Sequence, residues 1–199
     1  MGLVLPTIEA YQVQHLPIVK AYADKIGIVE VINQVVPTEM AIDPGTIVLG
    51  MILDTLSGRS PLCRLEEFFA HQDTAVLLGK AIAPGAFDDD TVGRVLDRLH
   101  DTGTMKVFTA CAVRADQVFR FDKRYVHFDT TSMTVYGDYV PPEEPKEPKE
   151  QAVPFTITHG YSKDKRPDLK QFVFATLCVD RAVPKPPHIG DERGYFTGF

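Results

Sequence analysis

The stretch YVHFDTTSMTVY, Tyr125 to Tyr136, marks a change of period in the chain. Eight of its twelve residues are β-branched or aromatic, which fits a pleated strand better than a helix. Two stretches downstream read the same way, Phe155 to His159 and Gln171 to Asp180. In the last, Phe172, Val173, Phe174, Ala175, Leu177 and Val179 leave neither face polar, the pattern of a central strand covered on both sides. Between the first two lies PPEEPKEPKEQ, residues 141–151, where proline and alternating charge forbid a packed element. It reads as a solvated, locally polyproline-like loop.

Upstream of Arg124 the apolar residues recur at helical spacing. Leu16, Val19, Tyr22 and Ile26 fit one amphipathic helix that Gly27 terminates, and Ile28 to Val36 fits a second that stops before Pro37. Asp43-Pro44 supplies an N-cap and a first-turn proline for a helix over Gly45 to Leu56, with Gly58 as a left-handed C-terminal cap. Ser60-Pro61 repeats that start signal for Pro61 to Ala70. The best-defined helix is Asp90 to Asp101, where Val92, Val95, Leu96 and Leu99 make one stripe and Gly103 ends the run. Asp88, Asp89 and Asp90 crowd its positive end, and capping accounts for them more simply than a bound cation does. A further helix is expected over Met105 to Phe119.

The 199 residues are 44% apolar and 24% charged, enough to bury a core. The uncharged apolar runs, Phe172 to Val179 among them, fall far short of the ~20 residues of a membrane helix. No Lys or Arg precedes Lys20, so the basic start of a secretory signal is absent, and Pro6 breaks a myristoylation pattern. A cytoplasmic protein without a membrane partner is the expectation. Cys63, Cys111 and Cys178 are odd in number and set among apolar neighbours, which predicts buried thiols. The net charge of -6 is uneven: residues 1–122 carry 10 basic and 16 acidic side chains, residues 123–199 carry 11 of each. Any grip on nucleic acid is therefore local. Arg94 and Arg98, one helical turn apart, are flanked by Asp97 and Asp101 and make a poor phosphate surface.

Two stretches carry candidate chemistry. Asp129 sits in mid-strand, where a carboxylate is costly unless paired, hydrogen-bonded or bound to a cation; the plainer reading is an Asp on a solvated sheet face. His127, two residues earlier, falls on the same face. The second stretch, GYSKDKRPDLK over 160–170, places Lys163, Lys165, Arg166 and Lys170 in a loop or strand edge able to touch phosphates, with Asp164 and Asp168 partly cancelling them. A plain solvated turn is the competing reading.

Taken together, HFDTTSMTVYGDY and ITHGYSKDKRPDLKQFVFATLCVDR resemble the start of the catalytic domain of DDE transposases of bacterial insertion sequences, in the branch with a Gly-Tyr/His-Ser-Lys-Asp-x-Arg-Pro-Asp-Leu-Lys-Gln signature. Upstream, GMILDTLSGRSPLCRLEEFF and FDDDTVGRVLDRLHDTG are similar to the helical domain of unknown function that precedes it. The resemblance implies an α+β chain. An all-helical N-terminal domain spans 1–120, and the first three or so strands of an incomplete RNase H-like domain span 121–181. An irregular tail fills 182–199, with a natural truncation and a frameshift both open as its origin. It also implies that Asp129 is the first of three carboxylates that hold two Mg²⁺ or Mn²⁺ ions in the family, and that the partner is DNA at transposon ends.

After Arg181 the family continues to a second Asp and a Glu that this sequence does not supply in the same setting. Asp191 in GDERGYF resembles the surroundings of the second acid, but it comes too soon after the preceding strand. The expectation is a truncated transposase that binds no metal tightly and is inactive by itself. The alternative is a non-catalytic module that binds DNA or protein, as a homo-oligomer or on full-length transposase, because the strand Gln171 to Asp180 is left without its neighbour. A complete metal enzyme using Asp129, Asp180 and Asp191 ranks last.

Overall fold

The computed structural model describes residues 11, 13–58, 60–137, 157–160, 165–180, 183–184, 188–190 and 196–197. The fold is α+β: among the described residues, seven α-helices are followed by a small antiparallel sheet. The chain divides into two compact units, Met1–Val118 and Phe119–Phe199.

In the first unit α1 (Leu16–Ile26) and α2 (Ile28–Val35) are separated by Gly27, whose φ of 76° is the left-handed turn a side chain would disfavour. α3 (Pro44–Ser57) starts at Asp43, whose carboxylate accepts from the Thr46 N–H at 2.8 Å. The same carboxylate takes the Asn33 amide at 2.9 Å and Lys80 Nζ at 2.7 Å, and Asn33 Oδ1 accepts from the Gly45 N–H at 2.8 Å. This knot fastens α2 to the start of α3. Burial raises the Asp43 carboxyl, but the hydrogen bonds from Lys80, Asn33 and Thr46 outweigh it and hold the group well below the usual carboxylate range.

Three helix signals are corrected. Gly58 is extended at φ -159°, not left-handed, because its N–H and the Ser57 hydroxyl both go to the Asp54 carbonyl and no reversal is needed. The helix expected over Pro61 to Ala70 is a 3-10 turn, Leu62–Arg64, followed by α4 (Leu65–Ala70); Arg64, at φ -119°, interrupts it. Tyr22 and Leu96 sit on the expected apolar stripes yet face solvent. Next come α5 (Thr74–Leu78), a second 3-10 turn (Pro84–Phe87), α6 (Asp89–Thr102) and α7 (Thr104–Phe119). Asp88 caps α6, accepting from the Thr91 N–H at 2.6 Å.

The main core gathers Leu16, Ile47, Leu49, Leu53, Leu65, Phe69, Leu77, Phe87 and Val95, with Phe69 stacked on Phe87 at 4.1 Å between ring centres. A second cluster joins Ile32 and Val36 to Val107 of α7. The expectation of three buried thiols is met only halfway by Cys111 and Cys178, which are half-buried, and fails for Cys63, which is exposed in the short 3-10 turn. Among the described residues no helix is long and apolar enough to cross a membrane.

The second unit is built on β1 (Val126–Val135) and β3 (Lys170–Val179), antiparallel and paired from Val126↔Val179 to Val135↔Lys170. The other edge of β3 meets three short strands: β2 (Thr158–His159), β4 (Val183–Pro184) and β5 (His188–Gly190), and β5 pairs β6 (Phe196–Thr197). Two expectations are therefore revised. β3 is interior rather than an open edge, and among the described residues the long strand β1 pairs with β3 alone. Nor is β3 covered on both sides: Gln171, Ala175 and Val179 are buried, while Phe172, Phe174 and Thr176 on the opposite face are half-buried. The expected strand Phe155 to His159 is seen as Thr158–His159; Phe155 and Thr156, like the loop 141–151, lie outside the described residues.

Candidate functional site

Residues directly opposite in an antiparallel pair share a face. The register therefore gathers His127, Asp129, Thr131 and Met133 of β1 on one face with Phe172, Phe174, Thr176 and Cys178 of β3. Asp129 lies opposite Thr176, near the middle of β1, and is exposed. One of its carboxylate oxygens accepts from the Thr130 N–H at 2.9 Å. Its setting is the solvated sheet face, so no burial cost forces a partner on it. Among the described residues no three His, Cys, Asp or Glu side chains come together as a metal site. Asp180 follows the last residue of β3, and Asp191 lies outside the described residues.

A concavity of about 540 Å³ opens beside this face, lined by Asp122, Arg124, Tyr125, His127 and Asp180. Its geometry follows from one left-handed residue. Asp180, at φ 46°, turns the chain so that its N–H donates to the Asp122 carbonyl at 3.0 Å, and its carboxylate accepts from the Asp122 N–H at 3.3 Å. The segment before β1 is thereby tied to the end of β3. Asp122 in turn holds Arg124, accepting from Nε at 3.0 Å and from Nη2 at 2.6 Å. The hydrogen bond from Arg124 keeps the Asp122 carboxyl below its ordinary range, and the same bond raises the guanidinium.

The basic stretch expected over 160–170 is only partly described. Lys163 lies outside the described residues. Lys165 is exposed with φ 57°, and Arg166 is committed to Asp168, with Nε to Oδ1 at 2.9 Å and Nη2 to Oδ2 at 2.7 Å. Arg166 also sits over the Tyr136 ring, 5.9 Å from its centre. Its first structural role is to pin the turn before β3 to the end of β1. Lys170 is half-buried at the start of β3, opposite both Val135 and His159, and lines a smaller concavity of about 300 Å³ with His159 and Asp168. Lys165, Arg166 and Lys170 therefore belong to one end of the sheet, and the concavity near Asp129 to the other. The sequence reading missed Asp122, Arg124 and Tyr125. Their signal was a basic and aromatic run, RFDKRYVH, placed directly before the strand.

No curated protein and no solved structure matches the chain. A family model described as a domain of unknown function, DUF4277, matches residues 8–113. That match spans α1 to the middle of α7 and more than half of the 199 residues, so the chain belongs to the DUF4277 family.

Proposed function

We propose that this chain is a portion of an insertion-sequence DDE transposase, in which the DUF4277 helices precede the opening strands of an RNase H-like domain. Asp129 is the first metal carboxylate in this reading. The observation that carries it is the setting of Asp129: an exposed carboxylate inside a ten-residue strand, paired along its whole length with the strand that begins at the end of the GYSKDKRPDLKQ stretch. A rigid strand is a suitable place to hold a metal ligand. The family match over 8–113 supports the upstream half of the resemblance. In the complete enzymes of that family Mg²⁺ or Mn²⁺ clamps the oxygens of a phosphodiester during cleavage and strand transfer.

Residues 1–199 alone are proposed to be inactive, since one carboxylate leaves a cation mostly to water and too loosely placed for in-line chemistry. Two measurements test the reading. Paramagnetic broadening of backbone amide signals by Mn²⁺ is expected to centre on residues 128–131 and to vanish in Asp129→Asn; broadening that ignores this substitution refutes the metal role. Incubation with DNA and Mg²⁺ or Mn²⁺ is expected to give no cleavage, and turnover lost in Asp129→Ala would overturn the inactive state. The alternative, a module that associates with full-length transposase or with itself, is favoured by Val126, Phe128 and Met133, exposed on the β1 strand.

A further inference from the structure

We infer that the run leading into β1, Arg120 to His127, is a contact surface for single-stranded DNA, with Arg124 on a phosphodiester and the Tyr125 ring against a base. The inference rests on the transposase reading for the substrate class and goes beyond it in placing the strand.

Three observations carry it. Tyr125 is 73% exposed, an aromatic ring presented to solvent next to a charged group, which is the pairing that single-strand sites use for stacking. Arg124 is preorganised: Asp122 takes its Nε and Nη2 edge, and the Nη1 end is not used by that pair. A fork already fixed in place loses less freedom when it meets a phosphate. The surface is also anchored, because the two bonds between Asp122 and Asp180 fasten it to the end of β3. The concavity of about 540 Å³ that Arg124, Tyr125 and His127 line is within the range of pockets that hold small organic groups.

Direction follows from the register. Tyr125 and His127 line the same concavity, His127 and Asp129 share one face of β1, and four residues of extended chain span roughly 13 Å. A strand with a base on Tyr125 therefore runs its next phosphates past His127 toward Asp129. The composition of the run agrees, since residues 120–127 hold Arg120, Lys123 and Arg124 against the single acid Asp122, with Asp180 on the rim of the concavity. Arg166 at the other end of the sheet is a weaker candidate. Its side chain is 47% exposed against 80% for Arg124, and it is further committed to the Tyr136 ring.

The test is fluorescence anisotropy of a labelled oligothymidylate titrated with the 199-residue protein at several salt concentrations. Arg124→Gln and Tyr125→Ala are each expected to weaken binding about tenfold, Tyr125→Phe to retain it, and Arg124→Gln to reduce the salt slope by about 0.7. Both positions are exposed, and circular dichroism checks that the variants fold. No binding at low salt overturns the proposal. So does binding that Arg124→Gln and Tyr125→Ala leave unchanged while Arg166→Gln and Lys170→Gln abolish it. A loss in Tyr125→Phe equal to that in Tyr125→Ala refutes stacking, and preference for a duplex that is indifferent to Tyr125→Ala refutes the single strand. Failure here is separable from failure of the transposase reading, because the Mn²⁺ experiment reports on Asp129 without DNA.

Discussion

Alanine at Gly45 would place a methyl carbon 2.4 Å from the Val29 carbonyl oxygen, 2.8 Å from Val29 Cα and 2.9 Å from Asn33 Oδ1. Two of these neighbours are backbone, so no side-chain rotation relieves them. Reaching ordinary contact requires α2 to retreat by about 1 Å, which loosens Ile32 and Val36 in the second core cluster and pulls Asn33 off the Gly45 N–H. Overpacking of this kind costs roughly 1–3 kcal/mol and the lost hydrogen bond about 1 kcal/mol. The better helix propensity of alanine returns at most about 1 kcal/mol. The expected result is a net loss of about 2 kcal/mol, which lowers the urea midpoint by about 1 M at an m-value near 2 kcal/mol/M. Gly93, inside α6, is the internal control, because its added carbon meets nothing within 4 Å outside its own helix backbone. Gly93→Ala is expected to add up to about 1 kcal/mol of stability, which raises the midpoint by up to about 0.5 M at the same m-value. Urea titrations followed by circular dichroism compare the two. A Gly45→Ala protein as stable as the parent would refute the close approach of α2 and α3.

Three further outcomes are expected. The folded Asp43 carboxyl is held below its ordinary value of 3.8, so its stabilising contribution is present above that pH and is lost as pH falls below it. Asp43→Asn should flatten the acid limb of a stability-against-pH curve, and an unchanged limb would contradict the knot. Phe69→Ala empties a fully buried site beside Phe87 and is expected to cost about 3–5 kcal/mol, read as the loss of a cooperative thermal transition or a large drop in its midpoint. Iodoacetamide is expected to label exposed Cys63 before Cys111, whose thiol burial pushes up; mass mapping that finds Cys111 modified first would reverse that order.

Local signals in the sequence located most elements, because caps and period are properties of neighbouring residues. Asp43-Pro44, Asp88 and Gly27 each sit where the chain begins or ends a helix in the structure. Signals that depend on distant partners were not legible. α5 and the turn Pro84–Phe87 are too short to show a period, yet Leu77 and Phe87 are fully buried because the rest of the core receives them. Leu96 obeys the periodic pattern and still faces solvent, since the stripe was wider than the surface available to cover it. In the sheet, composition identified β1 and β3 but not which of them is interior, which is decided by the short strands after residue 157. At the candidate site, Asp129 stood out by its residue type alone. The Asp122–Arg124 pair did not, because it depends on a left-handed turn at Asp180, 58 residues away.

The pairing of β1 with β3 also sets a timetable for synthesis. Thirty-four residues separate Val135 from Lys170, and β1 has no partner until most of β3 has been made. At about 5–20 residues per second that interval lasts roughly 2–7 s, whereas each helix closes its own backbone hydrogen bonds within a segment already translated. During it the ribosome holds out a strand carrying Tyr125, Val126, Phe128 and Met133 with nothing to pair with. The hazard of misassociation for this chain therefore falls within translation, and slowing elongation over residues 136–169 would lengthen it.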